Sequence, residues 1–277
     1  MFGSTVIEVG IGLVSIYFLI SIICTNINDF IARLLNLRAK ELETGIRNLL
    51  GDPELMNKVW NHALVRGIVG KRGKAPTYIP PNTFALALFD AIAPAANRPG
   101  GLDTIRAMAT KLPESSARHW IVNVVDQANK NMQAAQKSVE DWYNDAMDQV
   151  SQEYKLKMIY LSIFVAGIVT VILGVDSIAI ANTLYREPAV RAAVANAAQT
   201  TSSIVMPSAD VSKNVAATIA SLDSLMLPIG WNQIPATPGA WGQKIVGMLL
   251  TTLAASLGAP FWYDLLRNLM NLFNRDK

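Results

Sequence analysis

The chain has 277 residues, of which 51% are hydrophobic and 16% charged, with a formal net charge of +3. Charged residues make up about a quarter of an ordinary soluble domain, so this composition argues against a fully soluble globule. The small net charge argues against a nucleic-acid-binding protein, and the single cysteine, Cys24, excludes both an internal disulfide and a cysteine-based metal site.

The apolar residues concentrate in three runs, each near the length of about 20 residues that a bilayer-crossing helix needs. The first lies between Val6 and Thr25 and the second is the uncharged stretch Met158–Val175. The third follows Lys244 and reads IVGMLLTTLAASLGAPFW; Gly258 and Pro260 interrupt it, a kink that membrane helices tolerate. The first run lacks both a basic leader and a small-x-small cleavage site, so it reads as a retained span rather than a signal peptide. Cys24, among apolar neighbours, reads as a small buried hydrophobe.

The span ends set the expected orientation, because Lys and Arg collect on the cytoplasmic side. Arg33, Arg38 and Lys40 follow span one, Lys155 and Lys157 precede span two, and Arg267, Arg275 and Lys277 follow span three. The predicted class is all-α: an integral membrane protein with three transmembrane helices and a helical cytoplasmic bundle or stalk. Its layout is an outer N-terminus and span one (1–25), a cytoplasmic helical domain (26–157), span two (158–175), an outer segment (176–243), span three (244–263) and an amphipathic cytoplasmic tail (264–277). The expected orientation places the N-terminus outside and the C-terminus in the cytoplasm.

Within 26–157, Ile27, Ile31, Leu34, Leu42, Ile46 and Leu49 recur near a 3.6-residue period and predict that span one continues as an amphipathic helix up to Gly51. Asp52 as N-cap with Pro53 behind it starts the next helix. Short helices capped by Asn82 and Asp103 end before Pro94 and Pro113. A long helix is predicted from Ser116 unbroken into span two, with Val139, Trp142, Tyr143 and Val150 on one face and Asp141, Asp145 and Asp148 on the other. The apolar helix 84–93 is the segment whose exposure would favour partner docking. In the outer segment, helices are expected at 188–198 and about 210–225. LLRNLMNLF at the end suggests a helix lying along the membrane surface.

No catalytic, metal or cofactor motif emerges. His62 and His119 are isolated in sequence, and the glycine-rich stretch 67–74 lacks phosphate-loop spacing. Its basic residues Arg66, Lys71, Arg72 and Lys74 could contact anionic lipid or an acidic partner, or belong to a solvated loop. The three aspartates could hold a divalent cation, but a charged face exposed to water explains them without any ligand and is the preferred reading. Trp231, Trp241, Trp262 and Tyr263 are expected to anchor at the headgroup level. Gly247, Thr251, Ala255, Gly258 and Ala259 form a small-residue packing face on span three, directed at span one or at another copy.

The stretches DWYNDAMDQVSQEYK and SLGAPFWYDLLRNLMNL, with NLRAKELETGIRNLLGDP and YIPPNTFALALFD before them, are similar to a group of uncharacterised bacterial multi-span inner-membrane proteins. The resemblance implies integration in the bacterial inner membrane and brings no activity with it. The resulting expectation is a non-enzymatic protein acting through homo-oligomer assembly or docking of a cytoplasmic partner, bound by lipid and not by nucleic acid. An oligomeric channel lined by span hydroxyls, and a membrane-bound enzyme without a recognisable motif, stand behind it.

Overall fold

The computed structural model describes residues 5–68, 75–94, 101–128, 131–201, 211–225, 227–231 and 234–275, with side chains described except over 195–201, 211–212 and 270–275. The described residues form helices and no strands: α1 (Thr5–Leu34), α2 (Leu37–Leu50), α3 (Pro53–Trp60), α4 (Ala63–Ile68), α5 (Pro81–Ile92), α6 (Gly101–Ala109) and α7 (Ser116–Gln127). There follow α8 (Met132–Leu173), α9 (Ser177–Arg186), α10 (Pro188–Thr201), α11 (Val211–Asp223), α12 (Pro238–Ser256) and α13 (Ala259–Arg275). They fall into two units, one of residues 1–34 with 157–277 and one of 35–156.

Two helices, α1 and α8, are long and apolar enough to cross a membrane, and a third span exists if α12 and α13 count as one bent element. In the first unit α1 is the central helix, packed by α9, α10, α11, α12 and α13. Its residues Ile16, Phe18, Leu19, Ile20 and Ile23 are almost fully enclosed. Half of α1's most apolar window is buried, against 22% of that of α8. The outward faces are apolar instead: Ile159, Tyr160, Ile163, Phe164, Ile168 and Ile172 on α8, and Ile245, Val246, Leu249, Leu250 and Leu253 on α12 with Leu257 at its C-cap. Soluble monomers rarely expose so large a contiguous apolar surface, whereas hydrocarbon is its natural solvent.

The third apolar run is not one helix through residue 263. It begins earlier, at Pro238, where the Thr237 hydroxyl caps it by accepting from the Ala240 N–H at 3.3 Å. It stops at Ser256, and α13 leaves at 89°. Gly258 forms the elbow at φ +84°, a conformation that disfavours any side chain.

In the second unit the core gathers Leu42, Ile46, Leu50, Leu55, Val59, Phe84, Leu88 and Ile105 around Tyr143. The Tyr143 ring stacks on Phe84 at 4.3 Å and its O–H donates to the Ile79 carbonyl at 3.0 Å. Gly51 closes α2 at φ +64°, and Asp52 Oδ1 accepts from the Glu54 and Leu55 N–H groups at 2.8 and 3.4 Å, both as the local signals required.

Four expectations are corrected. The amphipathic continuation of span one breaks at Asn36, which adopts φ +50°. The helix from Ser116 ends at Gln127, and only α8, from Met132, runs into span two. Pro80 and Gly101 rather than Asn82 and Asp103 mark the starts of α5 and α6. Helix α5 belongs to the core of its unit, with Phe84, Ala85, Ala87, Leu88, Phe89 and Ile92 buried and Leu86 exposed, so most of its apolar surface is covered.

Candidate functional site: a polar seam between apolar helices

The second apolar run breaks after Leu173, and the break is where the first unit gathers its polar side chains. Gly174 takes φ +61°, its N–H donating back to the Val171 carbonyl at 3.2 Å. Asp176 then caps α9, its Oδ1 accepting from the N–H groups of Ile178 and Ala179 at 2.9 and 3.2 Å. From there α9 and the start of α10 run antiparallel to α1. Ser177 meets Tyr17, Leu184 packs over Gly12, and Arg191 pairs with Glu8 at 3.2 Å. Arg191 also donates to the Leu184 and Tyr185 carbonyls at 2.7 and 3.1 Å, closing the C-terminal end of α9, where a cation is favoured.

Three hydroxyls join α1, α9 and α12 at this break. The Tyr17 O–H donates to Ser177 Oγ at 2.9 Å, and Ser177 Oγ lies 2.7 Å from Thr251 Oγ1. Thr251 Oγ1 also accepts from the Ser177 N–H at 3.2 Å, and its hydrogen reaches the Gly247 carbonyl at 2.9 Å or that of Val175 at 3.2 Å. Backbone groups freed by the break are thereby satisfied inside apolar surroundings, where an unmet one costs several kcal/mol, on the order of a lost hydrogen bond or more.

Close approach makes the seam feasible. A Cβ at Gly247 would fall on the Asp176 carboxylate, and one at Gly174 would come within 2.6 Å of the Gly230 backbone. Beside Gly230, the Trp231 indole N–H donates to the Val171 carbonyl at 2.8 Å, a second donor beside the Gly174 N–H at the end of α8. Lys244 Nζ stands 4.5 Å from the centre of the Trp231 ring, and Trp241 lies 6.5 Å from it.

The small-residue face thus has an intrachain use. Gly247, Thr251 and Ala255 are buried within the unit, and Ala255 joins the cluster that contains Ile16, Ile20 and Val169. Gly258 is the elbow and Ala259 is buried beyond it, its N–H donating to Thr25 Oγ1 at 3.2 Å. Of the aromatic residues named from sequence, Trp231 and Trp241 are exposed, Tyr263 is half-buried and Trp262 is buried. The Trp262 indole N–H is taken up by the Ala254 carbonyl at 2.7 Å. Arg66 is exposed near the end of α4; Lys71, Arg72 and Lys74 lie outside the described residues. Sequence reading missed Asp176, Ser177 and Tyr17. A usable signal existed, since a glycine followed two residues later by aspartate is a helix stop followed by a helix start.

In the second unit, His62 Nε2 and Asp90 Oδ2 are 2.8 Å apart at the rim of a groove of about 250 Å³. The Leu64 N–H donates to His62 Nδ1 at 3.3 Å, which makes Nδ1 the acceptor and leaves the Nε2 proton to Asp90. With both ring nitrogens engaged, this pair joins the start of α4 to α5. Asp141, Asp145 and Asp148 are all exposed, and Asp141 pairs with Lys137 at 2.8 Å. Among the described residues no three His, Cys, Asp or Glu side chains converge as metal ligands. Compared with known protein families, curated proteins and solved structures, the chain shows no match.

Proposed function

We propose that the chain is a non-enzymatic integral membrane protein that acts through assembly, either by building a homo-oligomer or by docking a partner on its helical unit of residues 35–156. The observation that carries this reading is α8, which runs without a break from Met132 to Leu173. At about 1.5 Å per residue it is roughly 63 Å long, about twice the hydrocarbon thickness. One helix therefore belongs both to a packed unit with its own core and to an apolar segment, which is the arrangement of an anchored scaffold. The intrachain use of the packing face moves any self-contact to other surfaces, and the burial of α5 moves partner contact to other helices of the second unit.

The alternative, an oligomeric channel, rests on the hydroxyl-bearing spans, of which Thr170 is buried without a hydrogen-bond partner among the described residues while others are bonded within the chain. Ser15, Ser21, Thr252 and Ser256 donate to carbonyls of their own helix at 2.6 to 2.9 Å, and Ser162 donates to the Ser256 carbonyl at 2.9 Å. The proposed setting is the bacterial inner membrane, as the resemblance implies, and the Lys and Arg bias supports an outer N-terminus with residues 26–157 in the cytoplasm. A reporter fused after Lys277 that worked only outside the cytoplasm would reverse that orientation.

The decisive experiment is the mass of the purified chain in lipid nanodiscs, followed by ion flux in liposomes. A defined oligomer without flux supports homo-assembly. A monomer eliminates that branch and leaves docking, and specific ion flux from an oligomer would replace the scaffold with a channel.

A further inference from the structure

The groove beside His62 and Asp90 lies where α5, α6 and the starts of α4 and α8 come together. Its floor is apolar, with Phe89, Ala93 and Ile105 buried, and Leu64 and Leu86 are exposed along its edge. Three polar side chains line it, His62, Asp90 and Gln136, and their hydrogen-bonding capacity is unevenly used. His62 is spent, because Nδ1 accepts from the Leu64 N–H and the Nε2 proton goes to Asp90 Oδ2. Gln136 donates an amide N–H to Glu140 Oε1 at 2.9 Å, which turns its nitrogen to the next turn of α8 and leaves its carbonyl oxygen as an acceptor. The Asp90 side chain is 52% exposed, and its second oxygen, Oδ1, takes no part in the bond to His62. A carboxylate only accepts, and a neutral His62 brings no compensating charge. Among the described residues no Lys or Arg lines the groove.

A negative set of acceptors above an apolar floor selects its own complement. An anion would be repelled, and a neutral apolar molecule would cover the carboxylate without giving it a donor. A metal ion lacks its ligands, since among the described residues no three His, Cys, Asp or Glu side chains converge. We infer that the groove binds a small organic monocation, an ammonium or guanidinium carried on a short apolar body. Its charged N–H groups meet Asp90 and the Gln136 carbonyl oxygen, and its body covers Leu86, Phe89 and Ile105. Charge-assisted hydrogen bonds fix the orientation, and removal of apolar surface from water supplies the rest of the attraction. A volume of about 250 Å³ admits one ring or a short chain, below the roughly 300–1,000 Å³ of pockets that enclose drug-sized ligands. Leu86, the exposed side chain of an otherwise covered helix, becomes part of the ligand contact. The site lies within one unit and depends neither on assembly nor on the direction in which the chain crosses a membrane.

The test titrates 2-phenylethylammonium chloride into the full chain in lipid nanodiscs, with carbon-13 in the methionine methyl groups. Met132 lines the groove, whereas Met248 belongs to α12 in the other unit. The first methyl therefore reports the site, and the second reports probe dissolved in lipid. The expected result is a saturable shift at Met132, half-complete at about 1 mM or below, with no saturable shift at Met248. The uncharged 2-phenylethanol should bind at least about tenfold more weakly, and Asp90→Asn should weaken the ammonium by a similar factor. Because Asp90→Asn also loosens the contact to His62, Gln136→Lys is measured beside it. That variant leaves both members of the pair in place, sets a cation in the groove and should abolish the shift. Asp148→Asn, about three turns further along α8, should leave the affinity unchanged. A Met132 shift that never saturates, an alcohol that binds as tightly as the ammonium, or wild-type binding by Gln136→Lys would each overturn the site. None of these readouts measures oligomeric mass or ion flux, so their failure leaves the scaffold reading standing.

Discussion

Gly247 and Asp176 share one volume: the carboxylate of Asp176 occupies the space that a side chain at 247 would need. Helix α12 can therefore approach the start of α9 closely enough for Thr251 to reach Ser177. Gly247→Ala should force the two elements apart at a cost of about 1–3 kcal/mol, the usual penalty of overpacking. Gly242→Ala, where a Cβ meets nothing within 4 Å, should be neutral or mildly stabilising. Thermal unfolding of the two variants in nanodiscs makes the comparison, and equal midpoints would contradict the close approach.

Ala255 separates an internal packing face from an intermolecular one. It is fully buried in the α1 cluster, so Ala255→Leu should lower the yield of folded protein while whatever folds keeps the wild-type oligomeric mass. A variant that folds at full yield but changes mass would place the face between copies after all.

Trp231→Phe keeps an aromatic ring but removes one of the two donors to the Val171 carbonyl and leaves the Gly174 N–H. A typical hydrogen bond contributes about 0.5–1.5 kcal/mol, and the remaining donor keeps the loss within that range. The variant should unfold earlier, with amide exchange accelerating first at the end of α8. Unchanged exchange over residues 170–176 would mean that the indole bond contributes nothing.

Burial raises the Tyr143 phenol well above its ordinary value of about 10. Between those two values the folded state keeps a proton that the unfolded chain has lost. Stability is thus complete below the ordinary value and declines as the pH rises beyond it. Tyr143→Phe should flatten that alkaline decline while lowering stability at neutral pH by about 1 kcal/mol through loss of the Ile79 contact. Unfolding midpoints between pH 8 and pH 11 show whether the slope changes; a parallel profile would assign the decline to other groups.

Asp52→Ala removes the acceptor for the first turn of α3 and should cost about 0.5–2 kcal/mol, whereas Asp52→Asn should retain most of the cap. Chemical denaturation followed by circular dichroism compares the pair, and equal losses would assign the effect to charge rather than to capping.

The sequence alone determined whatever depends on neighbours along the chain. Apolar runs long enough to cross a bilayer, the stop at Gly51, the cap at Asp52 and the solvated face of Asp141, Asp145 and Asp148 follow from side-chain transfer energies and local hydrogen bonding. Those terms act within a few residues, so they are legible without a fold. The tertiary structure alone decided that the chain breaks at Asn36 and again after Leu173, that α5 is a core helix, and that Gly247, Thr251 and Ala255 face their own chain. It also brought Tyr17 to Ser177 across 160 positions. A broken helix is stable only where a distant partner, here Thr251 or Trp231, accepts or supplies the hydrogen bonds that the break releases. No local pattern contains that partner.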